Sequence, residues 1–116
     1  ERSIEVHTEG EPRRVSGVVE HELLRIAQEA TTNAVKHGQA AHIEIALAFA
    51  PTELRLRVTD DGRGFDPERD ATKPGHFGLI GIRERVQKLG GQFALRSQPG
   101  AGATVEAIVP LSPAAA

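Results

Sequence analysis

The run Asp60-Asp61-Gly62-Arg63-Gly64 follows directly on the alternating stretch Leu54-Arg55-Leu56-Arg57-Val58-Thr59. In a strand, alternate side chains share a face, so Leu54, Leu56, Val58 and Asp60 project together. An acid on the apolar side of a sheet is costly unless a partner satisfies it. Two glycines follow at once and permit close approach of the chain. A buried acceptor beside a glycine-lined gap suits a ligand that carries a hydrogen-bond donor. The plainer reading is a tight turn leaving a strand, since Asp-Gly is a common turn dipeptide. Asp61 is expected on the opposite face, towards solvent, and Arg63 at the surface.

A second set is Glu29, Asn33, Lys36 and His37. On a helix, about 100° per residue gathers them on one stripe, about a quarter turn from the centre of the apolar face. An amide oxygen and a carboxylate suit Mg²⁺, and an ammonium and an imidazole suit phosphate. The stripe also reads as a solvated helix edge whose members are incidental neighbours. A third set, Gly75-His76-Phe77-Gly78-Leu79-Ile80-Gly81, leads into an apolar helical pattern. Glycines ahead of a helix let amides face an anion, which the helix dipole favours. Arg83, Glu84 and Arg85 beyond it are expected to face solvent. Last comes Gly100-Ala101-Gly102-Ala103-Thr104, where Thr104 either adds a hydroxyl to a site or fills a strand position.

The elements that must position these groups are legible in outline. Residues 3–8 alternate weakly and predict an edge strand. Val19, Leu23, Ile26, Ala27, Ala30 and Ala34 predict a helix from about Ser16, its N-cap, to His37, with Gly38 as the stop. Ile43, Ile45, Leu47 and Phe49 predict a strand over 42–49, and 51–53 a turn into strand 54–60. Residues 61–77 read as a long loop, functional in kind, and 65–77 as a lid ordered by a bound ligand. Leu79, Ile82, Val86 and Leu89 predict a second helix closed by Gly90-Gly91, followed by strands over 92–97 and 103–109. Antiparallel strands beside a few helices predict an α+β two-layer sandwich, the helices on one face of a mixed, mostly antiparallel sheet.

The chain has 116 residues and reads as one domain over 1–111, with 112–116 a frayed tail. A net charge of −2 and a pI near 6.2 argue against a nucleic-acid or membrane binder. The absence of cysteine excludes disulfides, thiolate metal sites and thiol catalysis, and suits a reducing cytoplasm. No apolar run approaches the ~20 residues of a membrane span. A chain that starts at Glu1 and has no Met is expected to be a piece of a longer protein, with an anchor possible elsewhere in the parent.

In order, Glu29-Ala30-x-x-Asn33-Ala34-x-Lys36-His37, Asp60-x-Gly62-x-Gly64, Gly78-Leu79-x-Gly81 and Gly102-x-Thr104 resemble the nucleotide-binding boxes of the GHKL ATPases. That superfamily includes gyrase, Hsp90, MutL and the histidine kinases. The likeness runs over about residues 16–111. The run Gly78-Leu79-Ile80-Gly81-Ile82-Arg83-Glu84-Arg85-Val86 with Leu89-Gly90-Gly91 resembles the catalytic domains of NarL/DesK-type sensor histidine kinases.

The resemblance implies the Bergerat sandwich, with ATP and Mg²⁺ as cofactors. It implies that Asp60 accepts the adenine amino group, and that Gly62 and Gly64 let the chain approach the base. Asn33 would hold Mg²⁺, with Glu29 beside it as a polarising carboxylate, and Lys36 and His37 would contact phosphate or ribose. Gly78, Leu79 and Gly81 would wrap the triphosphate, and Thr104 would support the adenine end. The implied activity is phosphoryl transfer to a histidine on a separate dimerisation domain, and so indirectly to a response regulator. The excised domain is expected to be monomeric.

Two departures stand out. No dimerisation helix is present, and His7, His21, His37, His42 and His76 have no claim to accept the phosphate. Nor is there a phenylalanine-rich box, Phe77 being an isolated candidate. The rival readings are an anti-sigma-factor serine kinase of the same fold, and a non-catalytic binding module gated by nucleotide.

Overall fold

A computed structural model describes residues 2–64 and 79–111. The expectations placed on the 65–77 segment, on Gly78 and on the tail lie outside these residues. In chain order the elements are β1 (Ser3–Glu9), α1 (Gly17–Lys36), β2 (His42–Phe49), β3 (Glu53–Asp60), α2 (Leu79–Lys88), β4 (Gln92–Ser97) and β5 (Ala103–Pro110). The five strands form one sheet in the order β1-β2-β3-β5-β4. Only β1 and β2 run parallel; the other pairs are antiparallel. This is the mixed, mostly antiparallel α+β arrangement that the sequence predicts.

Both helices lie on one face because each has a single apolar stripe to bury. From α1 that stripe supplies Leu23, Ile26, Ala30 and Ala34, and from α2 Ile82 and Val86, all buried. Beneath them Leu54, Leu56 and Val58 of β3 pair with Val109, Ala107 and Val105 of β5. β1 is one of the two edge strands, and the helices leave it uncovered: Val6 remains 64% exposed. The opposite, helix-free face is polar and is laced by Arg57, whose Nε and one terminal nitrogen donate to the Glu106 carboxylate at 3.1 and 3.0 Å.

The helix ends follow from capping chemistry. Ser16 Oγ accepts the Val19 N–H at 3.2 Å and starts α1. The helix stops at Lys36 with His37 as C-cap, and the left-handed residue beyond it is Gln39, with φ of 52°, rather than Gly38. Gly38 is needed for another reason: a Cβ there would lie 2.9 Å from the Ala34 carbonyl oxygen. At the end of α2, Gly90 takes a φ of 72°, and the N–H groups of Gly90 and Gly91 donate to the carbonyls of Gln87 and Val86, each at 2.9 Å. That crossed pair is the Schellman closure, which a left-handed glycine makes possible.

Candidate functional site

β3 delivers Asp60 as its alternation requires. Leu54, Leu56 and Val58 are buried, and Asp60 follows half-buried on the same, helix-facing side. Its Oδ1 accepts the Gly62 N–H at 2.8 Å, and the Ala103 N–H is a further donor to the carboxylate. Burial nevertheless dominates and raises the Asp60 pKa above its ordinary 3.8, with the charge of Asp61 acting the same way against the two amides. A partly desolvated carboxylate with spare acceptor capacity is poised for a further donor.

The walls around Asp60 are made of backbone packed on backbone. A Cβ on Gly62 would lie 2.5 Å from the Gly38 carbonyl oxygen, just past the end of α1. Gly64 has φ of 63°, and a Cβ there would lie 2.2 Å from the Gln98 carbonyl oxygen. Gly102 has φ of 73°, and its Cβ would lie 2.2 Å from the Asp60 carbonyl oxygen. Among the described residues, then, three segments meet here: the end of α1, the 60–64 turn and the 98–102 turn. The resemblance attributes Gly62 and Gly64 to close approach of a base; the crowding observed at both comes from this chain's own carbonyls. A cleft of about 540 Å³ opens at this end of the sheet, with Asp60, Ser97, Gly102 and Ala103 in its lining.

Both helices are aimed at this end. The C-terminus of α1 is tied to it by Arg63, whose N–H donates to the Gly38 carbonyl at 2.9 Å and whose Nε donates to the His37 carbonyl at 2.8 Å. α2 runs the other way. Its C-terminal Gly90 lies at the far end, where a Cβ would be 3.9 Å from Pro110 Cγ, so its N-terminus at Leu79 is turned towards the Asp60 end. The first four N–H groups of a helix lack intrahelical acceptors, and an anion is one group that can satisfy them. Gly81 is exposed, and among the described residues outside its own helix a Cβ there would meet nothing within 4 Å.

The α1 stripe is present: Asn33 is half-buried, and Glu29, Lys36 and His37 are exposed. Glu29, Asn33 and Lys36 lie on the C-terminal half of the helix that ends beside Gly62, and His37 is its C-cap. The donor set fits Mg²⁺, since Asn33 and Glu29 offer hard oxygens one turn apart on that stripe.

Thr104 lines the same cleft as Asp60 but leaves its strand on the other face. Asp60 pairs with Ala103, and Thr104 pairs with Thr59. Directly paired residues share a face, so the Thr104 side chain leaves β5 on the helix-free side, the opposite one from Asp60. The residue that reaches Asp60 from β5 is Ala103, through its backbone N–H. A count of strand parity back from Val105 would have found this.

Asp61, Arg63 and Arg85 do more than the expected facing of solvent. Asp61 is exposed, yet its Oδ1 accepts the N–H groups of Ala41 and His42 at 3.0 and 2.9 Å. The bond to His42 is foremost among the causes that lower its pKa below 3.8. It thereby clamps the start of β2 against the corner after β3. Arg63 serves as a cation at the carboxyl end of α1, where helix carbonyls attract one. Arg85 joins the helices by donating to Glu22 at 3.0 Å. This hydrogen bond is the largest of the causes that lower the Glu22 pKa below 4.5, and burial opposes it. Arg83 remains exposed but stands over the Phe93 ring, 5.4 Å from its centroid.

Residues 18–113 match the family model described as "Histidine kinase-, DNA gyrase B-, and HSP90-like ATPase". The signal transduction histidine-protein kinase/phosphatase DegS of Brevibacillus brevis is 36% identical over 103 residues, covering 89% of this chain and 26% of that protein. The sensor histidine kinase LiaS of Bacillus subtilis is 34% identical over 110 residues, covering 95% and 30%. The chain thus spans under a third of the length of these curated relatives. Among solved structures, the histidine kinase domain of the blue-light activated kinase of Erythrobacter litoralis superposes with a TM-score of 0.71 at 27% identity, covering 93% of this chain and 52% of that one.

Proposed function

The chain belongs to the histidine kinase-, DNA gyrase B- and HSP90-like ATPase family as a histidine kinase catalytic domain, and from that premise we propose that it holds Mg-ATP at the Asp60 end of the sheet for phosphoryl transfer to a histidine of its parent protein. The observation that carries this is Asp60 itself. A partly desolvated carboxylate, met by the Gly62 and Ala103 amides, lines a cleft at the end of the sheet towards which both described helices are directed.

In this reading Asp60 accepts the exocyclic amine of adenine and orients the base. The Gly62 and Ala103 amides hold the carboxylate in place while it does so. Lys36 and His37 contact phosphate or ribose. The N-terminal amides of α2, those of Leu79 and Gly81 among them, face the phosphates and favour negative charge there. Asn33 and Glu29 would hold Mg²⁺, which when bound offsets phosphate charge. The protein's contribution is positioning and electrostatics, as is general for phosphoryl transfer. The γ-phosphoryl group passes to an imidazole nitrogen of the phosphoacceptor domain, and ADP leaves with the electron pair of the broken P–O bond. The response regulator then receives the phosphoryl group from that histidine. The place of action is the cytoplasm, where ATP is supplied, whether or not the parent is anchored in a membrane. No helix among the described residues is long and apolar enough to cross one.

The test is to supply a dimerisation domain with its histidine and follow the label from γ-phosphate-labelled ATP. Acid-labile, base-stable phosphate on that domain, lost with Asp60→Asn, is the expected result. Acid-stable phosphate on a serine of a partner would favour the anti-sigma-factor kinase. Nucleotide binding with no transfer to any supplied histidine would favour a binding module.

A further inference from the structure

A second cluster of functional side chains lies on the helix-free face of β1 and β2, the opposite side of the sheet from Asp60. The parallel register pairs Glu5 with Glu44, and on that face Glu5 is flanked by His7 on its own strand and by His42 across the pair. One ligand atom from each of Glu5, His7 and Glu44 falls within 4.8 Å of the others. His7 Nε2 is 3.6 Å and His42 Nε2 is 3.5 Å from the same oxygen, Glu5 Oε2.

Three features of this cluster point the same way. First, like charges directly opposed on a sheet are destabilising, so Glu5 against Glu44 calls for a cation between them. Second, His7 Nε2 and Glu5 Oε2, two of the three ligand atoms, stand 3.6 Å apart, beyond a hydrogen bond. Around a tetrahedral zinc ion with bonds of about 2.0–2.1 Å, ligand atoms stand roughly 3.4 Å apart, close to that separation. Third, His42 Nδ1 and Ser3 Oγ are 2.7 Å apart, so the ring is fixed with Nε2 turned to Glu5. Carboxylates that ligate a metal are themselves commonly hydrogen-bonded from outside the site, and His42, 3.5 Å from Glu5 Oε2, is placed to do this.

We propose that Glu5, His7 and Glu44 form a surface site for a divalent transition cation, zinc in the first instance, with His42 and Ser3 positioning the Glu5 carboxylate. One imidazole and two carboxylates, with water in the fourth position, suit such an ion better than Ca²⁺ or Mg²⁺, which favour all-oxygen sets. The ligands come from two adjacent strands, so the ion would pin the edge strand β1 to β2. All three side chains are exposed and free to close the remaining distance.

Titration calorimetry with Zn²⁺ in a non-coordinating buffer, in the absence of nucleotide, tests this directly. One equivalent should bind, with the His7 imidazole and the β1 amides shifting in NMR spectra. Co²⁺ in its place should give the visible absorption of a tetrahedral ion. His7→Ala and Glu44→Gln should lose the binding, and His42→Gln should weaken it about tenfold or more, the usual effect of removing a ligand's support. His21→Ala, on α1, should leave it unchanged. Circular dichroism of each variant should match the parent, since these side chains are at the surface. Absence of stoichiometric binding would overturn the proposal, as would binding that survives in both His7→Ala and Glu44→Gln. Either result would leave the nucleotide reading untouched, because the two sites share no residue.

Discussion

Replacing Asp60 with asparagine should move two measurable quantities in opposite directions. The wild-type carboxylate receives the Gly62 N–H at 2.8 Å and the Ala103 N–H, and still has acceptor capacity for the adenine amine. An asparagine keeps one carbonyl oxygen, which those two amides engage, and presents its NH₂ group to the ligand. Two donors then face each other across the gap. Loss of a hydrogen bond to a charged group costs about 1.5–3 kcal/mol, which is roughly a 10- to 150-fold rise in Kd. Stability should not follow. The folded carboxyl titrates above its ordinary 3.8 because burial disfavours its charge. Between the ordinary and the raised value the native state binds more protons than the unfolded one, so stability falls as pH rises through that window. At neutral pH the ionised group therefore opposes folding, and Asp60→Asn removes that opposition. Calorimetry with Mg-ADP, paired with thermal melts of the ligand-free domain at pH 7, reads both effects. Weakened binding with an equal or higher Tm is expected. Unchanged ADP affinity would refute the assignment of Asp60, and a lower Tm in step with weaker binding would refute the argument from burial.

The glycines divide into two kinds. Gly62→Ala and Gly102→Ala place a methyl 2.5 and 2.2 Å from backbone oxygens, and each should destabilise the domain by about 1–3 kcal/mol in denaturant titrations. Gly81→Ala meets no atom within 4 Å among the described residues outside its own helix and should instead stabilise α2 by about 0.5–1 kcal/mol; weaker Mg-ADP binding in that variant would indicate phosphate close to its backbone. Asn33→Ala should abolish magnesium-dependent nucleotide binding and keep the fold, because the α1 end is capped through the Asn33 carbonyl, to which the His37 and Gly38 N–H groups donate at 2.9 and 3.0 Å; normal activity across a magnesium titration would exclude the role. Glu22 titrates below its ordinary 4.5 through Arg85, so its contribution is fully present above that value and is lost as pH falls through the folded pKa. Melts of Arg85→Leu should accordingly show a shallower loss of Tm below pH 4.5 than those of the wild type.

The sequence alone determined what depends on chain neighbours. Period two placed Asp60 with Leu54, Leu56 and Val58 on the buried face. The three- and four-residue spacing of Leu23, Ile26, Ala30 and Ala34 set the face of α1, and Ser16 and Gly90 marked helix ends that local hydrogen bonds enforce. Ordered motifs were enough to identify the family because each fixes a local geometry. Tertiary structure decided what depends on register and on segments distant in sequence. The pairing of Asp60 with Ala103 turned Thr104 to the far face. The contacts of Gly62 with Gly38 and of Gly64 with Gln98 gave those glycines a packing role that a reading from the ligand side does not anticipate. Asp61, Arg63 and Arg85 looked like solvated charges because their partners, His42, His37 and Glu22, lie 19, 26 and 63 residues away. The grouping of Glu5 and His7 with Glu44 likewise exists only once β1 lies parallel to β2. Strand order brings such groups together, and a pattern of near neighbours carries no record of it.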